Sequence, residues 1–175
     1  MFCNQSDKEM REICSNGKIL LTGEYFVLHG AKALVLPLKK GQHTQIKNIA
    51  VQKDIIWSAE DINGLWFEAT IDPVHLNVLS ASDHKTAQFV YRLLYSIRQL
   101  NPEAHFHSVD TIHHRLDFDR HYGWGSSSTL IYNMAKLFNI DPFELHKEIS
   151  NGSGFDIAAA NQRQPFLYSR FAEQK

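Results

Sequence analysis

Cysteine is nearly missing from this chain: Cys3 and Cys14 are its only two, and they form no Cys-x-x-Cys pair. Two thiols near one end supply no disulfide framework and fit a reducing, cytoplasmic setting. An excess of charge is missing too. The formal net charge is −1, which leaves no global field to attract nucleic acid or an anionic membrane. No apolar run approaches the ~20 residues of a membrane span. Met1 to Glu12 is polar and mixed in charge, without the apolar core of a secretory signal. A Gly-x-x-x-x-Gly-Lys-Ser/Thr run is absent, so a P-loop is excluded. His113-His-Arg-Leu-Asp117 lacks the glycine loop, the paired lysine and the Asp-Phe-Gly of a protein kinase. Ten histidines are present, but the adjacent His113 and His114 face opposite sides of a strand. No cysteine or carboxylate completes a zinc set around His105 and His107. Histidine therefore predicts no metal centre. No internal repeat, low-complexity tract or linker interrupts the sequence.

What is present suits one soluble domain over residues 1–175. That length, with 43% hydrophobic and 21% charged residues, is enough for one sizeable core. Met1 to Glu12 reads as a loose or helical lead-in. Short apolar or alternating runs predict strands at Lys18–Thr22, Ala33–Leu38, Gln45–Val51, Ile55–Ser58 and Leu65–Thr70, with a turn at Asp61–Gly64. Val109–Ile112, Arg115–Asp119 and Pro165–Ser169 add three more. Lys85–Leu100 is a helix by its stripe of Phe89, Val90, Leu93, Leu94, Ile97 and Leu100, and Asn101-Pro102 ends it. Further helices are predicted at Ser126–Phe138, at Pro142–Ile149 with Asp141 as cap, and at Phe155–Asn161. Strands come first and helices mix in later, an α+β pattern.

The most informative stretch is Tyr122-Gly-Trp-Gly-Ser-Ser-Ser-Thr129. It follows a short alternating run and opens a helical apolar stripe of Leu130, Ile131, Met134, Leu137 and Phe138. A helix N-terminus offers free N–H groups and partial positive charge, which suits an anion. Gly123 and Gly125 let a phosphate approach the backbone. Ser126, Ser127 and Ser128 add hydroxyls for phosphate or magnesium. The plainer reading of such a turn is a serine-capped helix.

Two other segments shift that balance: Ser15-Asn-Gly-Lys-Ile-Leu-Leu-Thr-Gly-Glu-Tyr-Phe-Val-Leu-His-Gly30 and Asn151-Gly-Ser-Gly-Phe-Asp-Ile-Ala-Ala-Ala160. With the Gly-Trp-Gly-Ser-Ser-Ser loop between them, their order resembles the GHMP kinases, from about Ser15 to Tyr168. The third segment is similar to that of the mevalonate and phosphomevalonate branch. The resemblance implies a lobe like domain 2 of ribosomal protein S5, the ATP-binding N-terminal lobe. The family's ferredoxin-like C-terminal lobe and its glycine-rich third motif have no counterpart.

The resemblance also implies roles. Asp156 takes the place of the carboxylate that orients the acceptor hydroxyl and takes its proton. Lys18, six positions before Glu24, supplies positive charge at the same site. ATP would lie on Gly123, Trp124, Gly125, Ser126, Ser127 and Ser128, with Trp124 either stacking on adenine or packing the loop. Glu24, His29 and Gly154 fall on the substrate side. Magnesium would take the Ser126 hydroxyl and a glutamate, Glu144 ahead of Glu148, which shares its helix face. The implied activity is transfer of the ATP γ-phosphate to mevalonate or phosphomevalonate. A sugar kinase, a diphosphomevalonate decarboxylase and a non-catalytic nucleotide-binding lobe are the alternatives. Expected partners are a small-molecule substrate and either self-association or a separate C-terminal lobe, not nucleic acid or membrane.

Overall fold

The computed structural model describes residues 10–24, 26–48 and 53–170. Two long antiparallel strands, β1 (Met10–Thr22) and β2 (Ala33–Asn48), begin it. A hairpin follows, β3 (Ile55–Asp61) and β4 (Gly64–Ile71), then a short strand β5 (Val78–Ala81). The remaining elements are α1 (His84–Leu100), β6 (Val109–Leu116), α2 (Ser126–Leu137), α3 (Pro142–Ile149), α4 (Phe155–Ala159) and β7 (Phe166–Tyr168). The strands form one sheet in the order β1-β2-β6-β3-β4-β5, with β7 pairing the start of β2. β3 and β6 run parallel, which β4, β5 and α1 make possible as the crossover. No described helix is long and apolar enough to cross a membrane.

Strand alternation decides which face is covered. In β2, Thr44 and Ile46 are buried, whereas His43, Gln45 and Lys47 are only half-buried. The helices pack on the face of Thr44 and Ile46. Trp57, Phe67 and Ile112 of the sheet meet Val90, Leu94 and Ile97 of α1 and Ile131 and Met134 of α2 in one core. Each such side chain contributes roughly 1.5–3 kcal/mol on burial.

A buried polar network fixes α2 on the sheet. The Thr129 hydroxyl donates to Gln42 Oε1 at 2.6 Å. Asn133 Nδ2 donates to the Gln42 carbonyl and to Thr44 Oγ1, both at 3.0 Å. These bonds set the height of the first turn of α2 above β2.

Several expectations change. Met10–Glu12, expected in the lead-in, are strand, and the rest of that segment lies outside the described residues. The runs at 33–38 and 45–51 are one strand, with 49–51 outside the described residues. Gly41 carries the strand through, because a Cβ there would lie 1.8 Å from the Ser15 carbonyl oxygen. The runs at 109–112 and 115–119 likewise join as β6, which ends at Leu116, so that 117–119 lie in the bend after it and not in strand. The two histidines between them suit a strand: His114 is buried and bonds Thr44, while His113 on the other face bonds Ser58. β5, short and mostly exposed, gave no pattern to read.

Candidate active site

Three helices start in two different ways. α1 is capped by Asp83, which accepts the Thr86 N–H at 2.7 Å. α3 is capped by Asp141, which accepts from Phe143 and Glu144, with Pro142 in the first turn. α2 has no side-chain cap among the described residues. Its N-cap is Gly125, left-handed at φ 87°, two residues after Gly123 at φ 71°. Ring closure in α2 begins with the Thr129 N–H on the Gly125 carbonyl. The first-turn N–H groups of Ser126, Ser127 and Ser128 are thus left without helical acceptors, in a turn that only glycine adopts freely.

β1 and α4 bring the charged groups to this turn. A bulge between Asn16 and Lys18 turns the strand, and the Lys18 N–H donates to the Trp124 carbonyl at 3.0 Å. Lys18 Nζ then lies 2.9 Å from Asp156 Oδ1 and 3.3 Å from the Gly123 carbonyl. The two side chains are only 14% and 23% exposed. A Cβ on Gly125 would meet Lys18 Cε at 3.4 Å and Asp156 Oδ1 at 3.6 Å. So the open helix start, an ammonium and a carboxylate share one spot, although Lys18 lies over a hundred positions before the other two in sequence.

Gly154, left-handed at φ 86°, starts the turn that presents Asp156. It is wedged against Phe143 and Tyr168, and the Tyr168 hydroxyl donates to the Ser153 carbonyl at 2.6 Å. His146 of α3 lies against Gly152. Burial lowers its pKa, and the Asp156 charge acts in the opposite sense. His146 is thus a neighbour of the aspartate segment that spacing did not single out.

A cavity of about 260 Å³ adjoins the same helix start. Ser126 and Ser127 form one side, Lys85 and Thr86 of α1 another, and Trp57 and Trp66 of the sheet line it too. His114 also lines it. Asn133 donates to Thr44 Oγ1, so the Thr44 hydroxyl is free to donate to His114 Nδ1 at 2.9 Å. That leaves the proton on Nε2, which is buried without a partner among the described residues, as is Trp66 Nε1. Burial, then the neighbouring His113, hold the His114 pKa down at about 3, so the ring is neutral.

The other expected residues fall in varied places. Trp124 packs between Phe118 and Tyr122, at centroid distances of 5.4 and 5.0 Å, and is not among the residues lining the cavity. Ser128 is half-buried in the first turn of α2. Glu24 is exposed in the turn after β1, and His29 is exposed at the end of the 3-10 turn Phe26–His29. Glu144 and Glu148 are exposed on α3, and no hydrogen bond among the described residues ties either side chain to the loop.

Neither a family model nor a curated protein matches the sequence. Solved structures do match by shape. The Methanococcus jannaschii mevalonate kinase superposes with a TM-score of 0.62 at 15% identity, covering 95% of this chain and 55% of that one. The Streptococcus pneumoniae phosphomevalonate kinase, solved with phosphomevalonate and AMPPNP, gives 0.55 at 16%, covering 86% and 46%. The Lactococcus lactis galactokinase, solved with galactose, gives 0.54 at 17%, covering 88% and 39%. The chain spans about half the length of these structures. The likeness is one of fold: this chain folds as the N-terminal lobe of the GHMP kinases does.

Proposed function

We propose that this chain is the ATP-binding lobe of a GHMP-type kinase that phosphorylates a small molecule of the mevalonate or phosphomevalonate kind. The observation that carries this reading is the meeting of Lys18, Asp156 and the uncapped start of α2 at Gly125. Phosphoryl transfer asks mainly for positioning and for charge opposite the transferred group. The N–H groups of Ser126–Ser128 would hold the phosphates. The adjoining cavity would take the base, with His114 and Trp66 as donors for ring nitrogens. Asp156 would accept the proton of the acceptor hydroxyl, and Lys18 would hold that carboxylate in place. Glu24, His29 and Gly154 would belong to the acceptor side.

Magnesium suits the donors present, since it takes oxygen ligands and keeps several waters. The Ser126 hydroxyl and a carboxylate of α3, Glu144 first, would hold it. Bound there it would neutralise phosphate charge. The remaining roles fall to the chain's own groups.

The test is ADP release with mevalonate, phosphomevalonate and a panel of sugars as acceptors. It should be run on the chain alone and on a version extended by the C-terminal lobe of a mevalonate kinase. Turnover on mevalonate or phosphomevalonate supports the reading. Turnover on sugars alone keeps the kinase and discards the mevalonate branch. ATP binding without turnover in either form leaves only a nucleotide-binding module.

A further inference from the structure

The sheet face away from the helices carries a second cluster. Glu12 and Cys14 are two residues apart on β1, so they share a face. Ser15, between them and the helices, is buried and donates to the Thr129 carbonyl on α2, which places Cys14 on the opposite side. Cys14 pairs directly with His43 across the β1–β2 ladder. Cys14 Sγ is 2.9 Å from His43 Nδ1. Glu12 Oε1 is 3.4 Å from the same nitrogen and 3.9 Å from the sulfur.

These separations have the scale of a metal's ligand shell. A tetrahedral zinc with Zn–S near 2.3 Å and Zn–N or Zn–O near 2.0–2.1 Å holds its ligand atoms about 3.3–3.6 Å apart. The observed distances straddle that range, and side-chain shifts of about half an ångström close the set. The other ring nitrogen is also settled. His43 Nε2 lies 3.2 Å from Asp117 Oδ2. The Gly41 N–H reaches the same oxygen at 3.4 Å, and Arg115 Nη1 donates to Oδ1 at 2.8 Å. A carboxylate on Nε2 keeps the proton there and leaves the Nδ1 lone pair toward Cys14 and Glu12, the arrangement that orients metal-binding histidines. Glu12 and Cys14 are exposed, so an ion can enter and water can complete the shell.

We propose that Glu12, Cys14 and His43 bind a zinc-class divalent cation, with Asp117 positioning His43. Thiolate, imidazole and carboxylate together favour zinc over magnesium or calcium. The site lies on the opposite face from the glycine loop and is independent of the kinase reading.

Cobalt(II) titration of the chelator-treated full chain, in a Cys3→Ser background, tests this. The expected result is a thiolate-to-cobalt charge-transfer band with tetrahedral visible absorption, both lost on adding zinc. Cys14→Ser should abolish the band, and His43→Ala should weaken binding at least tenfold. Asp117→Asn should weaken it about 10–100-fold, as loss of an outer partner does. His113→Ala, on the same face but bonded to Ser58, should leave binding unchanged. Cobalt binding without the thiolate band, or binding undiminished in Cys14→Ser or His43→Ala with circular dichroism intact, overturns the proposal.

Discussion

The starts of α1 and α3 differ from the start of α2 in what the chain does with the same unsatisfied N–H groups. Asp83 and Asp141 close the first two with carboxylates, so those starts are complete without a ligand. Gly125 leaves the third open, in a left-handed conformation, and Lys18 and Asp156 flank it. A stabilising cap and an anion site use one backbone feature, and they differ only in whether a side chain or a ligand supplies the acceptor.

That contrast can be broken from its chemical side first. Asp156→Asn keeps the size of the side chain but cannot take a proton. Phosphoryl transfer by an active form should fall by roughly 10²–10⁴ while ATP binding persists. Turnover equal to the parent's would remove Asp156 from the chemistry. Lys18→Met removes the ammonium and keeps the stem, and turnover should drop on the order of 10²-fold, the scale of losing one charge-stabilising donor. An unchanged rate would reduce the 2.9 Å pair to a structural contact.

The capped side predicts the reverse pattern. Asp141→Ala should cost about 1 kcal/mol in denaturant unfolding and leave ATP affinity alone. A change in affinity larger than threefold there would blur the distinction. A further prediction concerns pH. His114 titrates near 3 in the fold and near 6.5 when unfolded, so the unfolded chain binds the extra proton between those values. Stability should be full above about pH 6.5 and decline as the pH falls toward 3. In His114→Gln that slope should flatten, and an unaltered slope would mean that His114 is not the group responsible.

Much of this arrangement was legible in the sequence. The helix at 142–149 with its Asp141 cap follows from Asp-Pro chemistry, and α1 follows from its apolar stripe. The glycine loop at the start of α2 was readable for the same local reason. Lys18 and Asp156 were named from a family likeness, since no spacing rule joins residues on β1 and α4. Long-range pairing explains what was missed. His114, Trp57 and Trp66 line one cavity only because β3, β4 and β6 lie side by side. Ten histidines suggested no metal centre by sequence spacing, yet β1–β2 register sets His43 beside Cys14, 29 positions away. The expected strands Lys18–Thr22, Ala33–Leu38 and Gln45–Val51 stop short of Gly17 and Gly41, which β1 and β2 run through. Both glycines are buried where backbones nearly touch.

The central claim is that the uncapped start of α2 holds the phosphates of ATP. Calorimetric titration of ATP with magnesium into the parent and into Gly125→Val tests it most directly. Valine brings a Cβ to a φ of 87° and to within 3.6 Å of Asp156 and Lys18, at a half-buried position in the loop before α2. The account predicts measurable binding by the parent and at least a tenfold loss in the variant, with circular dichroism unchanged. Equal affinity in the two proteins would contradict it.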